Sequence, residues 1–188
     1  MILLDMTKNS LNLDKIKMGM VVAFVSDGSF ISKRIVAYQT YLGFDVQSAK
    51  ITHVGISMGG EYIIESTFPR STTSNLLKDH QGREIKFLYY RGESFRDRLR
   101  YHVALWCATR CNLPYGWQAL LGFYLKSLIP LWSTNPLGVH RTPFCSYLLA
   151  WGFRRAGLDP WPGVSSDLVT PAHIVDSDRF EEVDVSSS

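Results

Sequence analysis

Apolar residues change their period several times along this chain. Met20–Ser26 (MVVAFVS) is β-branched and apolar throughout, which predicts a buried strand. Ser26-Asp27-Gly28-Ser29 breaks it, and Ile31–Leu42 continues with helical spacing. Lys50–Met58 and Glu61–Ser66 are two alternating segments around Gly59-Gly60, which predicts a hairpin. A polar stretch over about 69–84 reads as a loop, and Ile85–Arg91 as a further strand. From Ser94, a candidate cap, Phe95, Leu99, Val103, Trp106 and Arg110 recur at helical spacing. Asn112–Leu128 reads as another helix, entered through Pro114, and Pro130–Arg141 as a Pro/Gly-rich loop. Arg141–Leu158 (RTPFCSYLLAWGFRRAGL) is a helix, and the tail holds a turn at Thr170-Pro171 and one last strand. Strands and helices mix without regular βαβ alternation, so the expected class is α+β.

Composition narrows the picture. With 188 residues, 46% hydrophobic and 20% charged, the chain suits one globular domain, 1–188, with a core over about 18–185. A net charge of +3 with scattered basic residues argues against nucleic acid. The densest basic run, Phe95–His102, reads as a solvated helix face. The N-terminus lacks the pattern of a signal peptide. The most apolar window, Ala119–Trp132, is interrupted by Lys126 and Pro130 and is too short for a transmembrane span. Three cysteines imply no disulfide framework. Cys107 and Cys111, four apart, read as buried thiols rather than a redox or zinc pair.

Cys145 is different. Thr142-Pro143 is a helix-start signature, a hydroxyl N-cap followed by proline at N1, which places Cys145 at N3. Free N–H groups and the positive end of the macrodipole favour a thiolate there. Gly157 is the expected stop, after Arg154 and Arg155 in the last turn. Cys145, Leu149, Gly152 and Ala156 share a stripe whose small members would let the helix approach a sheet. A buried structural thiol is the competing reading, and a partner base would decide against it.

Of five histidines, His53 lies inside a strand. His53, Gly55 and Ser57 share one face; Val54, Ile56 and Met58 form the other. His80, beside Asp79 in the polar loop, is expected to be exposed. Glu65 ends the next strand. If Gly59-Gly60 alone closes the hairpin, Glu65 faces Val54. If Met58–Gly60 closes it, Glu65 faces His53 at ~5 Å between Cβ atoms. In that register the carboxylate accepts the imidazole N–H and fixes its tautomer.

Thr52–Ser57 (THVGIS), the glycine turn, Glu65 twelve positions after His53, and Phe144–Leu158 together resemble the circularly permuted NlpC-type papain-like hydrolases, the YiiX-like branch related to the lecithin–retinol acyltransferase group. Met18–Val36, Asn112–Phe123 and the Thr170-Pro171 close extend the resemblance over about 20–185, with the polar loop unmatched and Met20 standing where that family usually has Asp. The resemblance implies a permuted papain-like fold, an antiparallel sheet against the cysteine helix. It also implies Cys145 as nucleophile, His53 as base, Glu65 as orienter and Tyr115 as a substrate or oxyanion contact. No metal or cofactor is called for.

Three functions follow. The first is an amidase or peptidase acting on cell-wall peptides by an acyl-enzyme; such a chain works in the cytoplasm or is delivered by lysis, by injection or within a larger assembly such as a phage virion. The second is an acyltransferase or esterase on lipid substrates, for which Trp117–Trp132 would form a lipid-facing wall. The third is a non-catalytic papain-like module that binds a partner.

Overall fold

The computed structural model describes residues 4–5, 11–91, 97–119, 121–122 and 142–186. The expected cap at Ser94, residues 120 and 123–128 of the helix entered through Pro114, and the Pro/Gly-rich loop lie outside these residues.

The fold is mixed α+β, built on one antiparallel sheet. Its strands are β1 (Leu4–Asp5), β2 (Val21–Val25), β3 (Ile51–Gly59), β4 (Tyr62–Ser66), β5 (Ser71–Asn75), β6 (Glu84–Tyr90) and β7 (Phe180–Val183), in the order β1-β6-β2-β3-β4-β5 with β7 also beside β6. The run VVAFV is apolar on both faces because β2 lies between β3 and β6 with both faces covered. Val21 and Ala23 join Val54, Ile56 and Leu88 on one face. Val22 and Phe24 join Ile63, Ile85 and Phe87 on the other.

The helices whose bounds lie within the described residues are α1 (Phe30–Tyr41), α2 (Val46–Ala49), α3 (Leu76–Asp79), α4 (Asp97–Ala108), α5 (Cys145–Arg155) and α6 (Pro171–Val175); residues 117–119 and 121–122 are also helical. Helix α5 lays Leu148, Leu149 and Phe153 on the Val54 face beside Val103 and Cys107 of α4. The two α5 arginines and the stop at Gly157, with φ +80°, fall where the sequence places them.

Four expectations change. The polar stretch 69–84 is not a plain loop, because it holds β5 and α3. Strand β5 (STTSN) escapes a search for apolar alternation because its inward positions are hydroxyls and an amide. Ser71 Oγ donates to Ser66 Oγ at 3.0 Å, and the Asn75 side chain caps α3. Thr142 does not cap α5. The N-cap is Phe144, with no side-chain cap, and Cys145 is N1 rather than N3. The carbonyl of Pro143 explains this, since it accepts from Ser66 Oγ at 2.7 Å and from Gly116 N–H at 3.0 Å instead of entering the helix. The Thr-Pro start operates instead at Thr170-Pro171, which opens α6 with a capping box. Finally, Gly152 serves helix–helix packing rather than approach to the sheet: a Cβ there would sit 2.8 Å from Cys107 Sγ.

Candidate active site

The hairpin adopts neither expected register. Gly55 pairs with Glu65 and Ser57 with Ile63, and a shift then leaves Met58 as an extra residue before Gly59 pairs with Tyr62. Gly59 and Gly60 take positive φ, 92° and 60°, which makes this closure accessible. Glu65 therefore stands across from Gly55, and His53 is its diagonal neighbour on the same face. The diagonal spacing of ~7–8 Å is within reach of long side chains. The missing Cβ at Gly55 matters here, since one would lie 3.4 Å from Glu65 Cβ and 3.1 Å from the Ile64 carbonyl oxygen. With that space free, His53 Nε2 and Glu65 Oε2 meet at 2.5 Å.

Glu65 is buried, its side chain only 4% exposed, and its other oxygen is also engaged. Oε1 accepts from Ser74 Oγ on β5 and from His80 Nε2 at 3.0 Å. An ionised carboxylate can only accept, so both imidazoles carry their proton on Nε2. Burial pushes the carboxyl up. The hydrogen bonds and charges of His53 and His80 outweigh it and hold the group far below its ordinary 4.5.

His80 is a correction to the sequence reading, because it is not a free loop side chain. It is 12% exposed, bonded to Glu65 and packed on Phe24 at 4.5 Å between ring centroids. The one signal for it in the sequence is local. Asn75 caps Leu77 and Lys78 N–H and so starts the short helix that ends at His80.

Cys145 reaches His53 from beyond the end of β4. The β3–β4 ladder stops at Gly55–Glu65, so β3 runs on past its neighbour at His53. The Ser66–Pro143 hydrogen bond holds the lead-in to α5 at that point. The Cys145 thiol lies near enough to the imidazole to act on its protonation. Nε2 is committed to Glu65, which leaves Nδ1 as the nitrogen available to the sulfur. Burial would lower the imidazole's pKa, but Cys145 and then Glu65 raise it from 6.5 to about 10. Cys145 itself is 6% exposed, the first residue of its helix, where the N–H has no intrahelical acceptor.

Tyr115 also belongs to this neighbourhood. Its N–H donates to Pro69 O and the next N–H, of Gly116, to Pro143 O. Gly116 is tight against the α5 lead-in, for a Cβ there would fall 2.1 Å from the Thr142 carbonyl oxygen. Burial, and secondarily the nearby Cys145, raise the phenol well above its ordinary value, so it stays a donor. Cys107 and Cys111 stand apart from the site. Cys107 is wholly buried and its thiol is pushed upward by burial; Cys111 is half-buried.

Among the described residues no group of three His, Cys, Asp or Glu side chains is arranged to hold a metal ion, and no helix is long and apolar enough to cross a membrane. No protein-family model matches the chain, and no curated protein matches its sequence.

Proposed function

We propose that this chain is a thiol-dependent hydrolase of the circularly permuted NlpC-type, papain-like kind, cleaving an amide bond in cell-wall peptides. The observation that carries the reading is one imidazole, His53, bonded to a buried carboxylate, Glu65, with the Cys145 thiol near enough to raise its pKa. A nucleophile, a base and an orienter in contact are what covalent acyl transfer requires. The choice of wall peptides rests on the motif resemblance.

The chemistry runs as follows. His53 Nδ1 holds the proton taken from the thiol, leaving a thiolate–imidazolium pair that Glu65 stabilises. The Cys145 sulfur attacks the carbonyl carbon and the π electrons move to oxygen. The Cys145 N–H and the Tyr115 hydroxyl are the donors proposed for that oxyanion, a contribution of ~2.7–4 kcal/mol per donor in other enzymes. Collapse expels the amine, which takes its proton from His53, and leaves a thioester. Water then attacks with His53 again as base, releasing the acid and restoring the thiol.

The purified protein is assayed on muropeptides and on acyl-lipid esters. Amine release from the muropeptides is expected, and none from Cys145→Ala. Release from lipid esters alone assigns the site to acyl-lipid chemistry. Thiol labelling tests the site independently. Near pH 6 iodoacetamide modifies Cys145 much faster than Cys107 or Cys111, and His53→Ala slows it. Equal rates at all three thiols would leave a binding module rather than an enzyme.

A further inference from the structure

We infer that His80 is a positioning residue, which together with Ser74 anchors one oxygen of Glu65 so that the other is presented to His53. Its consequence for catalysis rests on the hydrolase reading; the anchoring itself rests on geometry alone. The terminal torsion of a glutamate is soft and broadly two-fold, so a lone bond between His53 and Oε2 would not hold the carboxylate plane. Two donors on Oε1, Ser74 Oγ and His80 Nε2, fix it from the opposite side. They arrive from β5 and from the end of α3, neither of which carries His53 or Cys145.

His80 is itself held firmly. Its ring lies on Phe24, and its carbonyl accepts from Arg83 N–H at 3.0 Å. Phe24 also touches His53, at 5.3 Å between centroids, so one aromatic ring supports both imidazoles. Around this group the charged neighbours are Glu65 itself, Arg83 over the Phe24 ring at 5.7 Å, and Asp27, which pairs with Arg83 at 3.5 Å.

Two effects of losing His80 oppose each other. On a rigid carboxylate, removing a donor from Oε1 leaves more charge for His53 and stabilises the imidazolium. On a carboxylate released to turn, the Oε2 contact loosens and the imidazolium loses its partner. A positioning role requires the second effect to win.

The test follows the His53 imidazole by NMR across pH in the full chain. His80→Phe keeps a ring against Phe24 but has no donor; His80→Gln carries an amide donor; Ser74→Ala removes the second anchor. The His53 midpoint is expected to fall by about one unit in His80→Phe and in Ser74→Ala, and to recover in part in His80→Gln. Cys145 alkylation near neutral pH is expected to slow on the order of tenfold in the first two, the scale seen when an orienting outer partner is lost. An unchanged or raised midpoint in both folded variants overturns the role, whatever the activity. If His80→Phe does not fold, Ser74→Ala decides alone. A lowered midpoint in a protein whose native Cys145 reacts no faster than Cys111 keeps the positioning role and removes the hydrolase reading.

Discussion

Glu65 gathers three side-chain hydrogen bonds in a site nearly closed to water. A buried carboxylate without partners would protonate; this one is held ionised, and that ties stability to pH. Its folded value lies below the ordinary 4.5, so its contribution is complete above that pH and is lost as pH falls. His53 has the opposite sign. Its folded value is raised, so its contribution is complete below 6.5 and fades as pH rises towards about 10. Both are complete only between about 4.5 and 6.5, where the urea midpoint should peak. Glu65→Gln should cost on the order of 3 kcal/mol within that window and flatten the acid limb. An acid limb as steep as the parent's would show that the carboxylate is not the group responsible. Cys145 also raises His53, so part of the alkaline limb survives the substitution.

Helix α5 shows how an element boundary is set by its surroundings. Thr142-Pro143 has the local chemistry of a helix start, yet Ser66 and Gly116 take the Pro143 carbonyl and delay the helix until Cys145. The delay puts the thiol at the first helical position, at the edge where β3 outruns β4. Further along, α5 lies close enough to α4 that Gly152 has no room for a side chain against Cys107 Sγ. Gly152→Ala gains about 1 kcal/mol of helix propensity and loses ~1–3 kcal/mol to overpacking, so net destabilisation of about 1 kcal/mol is expected. In a Cys107→Ala background the clash is gone and the same change should be neutral or stabilising. Additive effects in this double-mutant cycle would mean the two helices are not in the contact described.

At the scale of the whole molecule, a polar side chain joins three parts of the chain. Gln39 is fully buried in α1. Its amide Nε2 donates to the Ala49 and Ile51 carbonyls, both at 2.8 Å, and its Oε1 accepts from Ala172 N–H at 2.8 Å. It thus pins α1 to the start of β3 and to α6, just ahead of His53. Gln39→Leu keeps the volume and strands three backbone groups, so a loss of about 3 kcal/mol or more in urea unfolding is expected. A loss under about 1 kcal/mol would mean that water replaces the amide.

Much of the architecture was legible from the hydrophobic pattern. The apolar run of β2, the alternation of β3 and β4, the strand at β6, the body of α5 and the glycine that stops it all announce themselves, because each buries apolar surface at its own period. Residue type and position in the pattern also singled out Cys145, His53 and Glu65, while Tyr115 came only from the family resemblance. The sequence could not reveal the hairpin register, which turns on one extra residue at Met58 and on space above Gly55. Nor could it reveal β5 or the burial of His80, since hydrogen bonding rather than apolar contact draws those groups inward and leaves no period to read. By itself the sequence determined the elements and the candidate chemistry, which depend on neighbours a few positions away. Which groups share one carboxylate, and where the thiol meets its imidazole, only the tertiary structure decided, because those contacts join strands and a helix far apart in the chain.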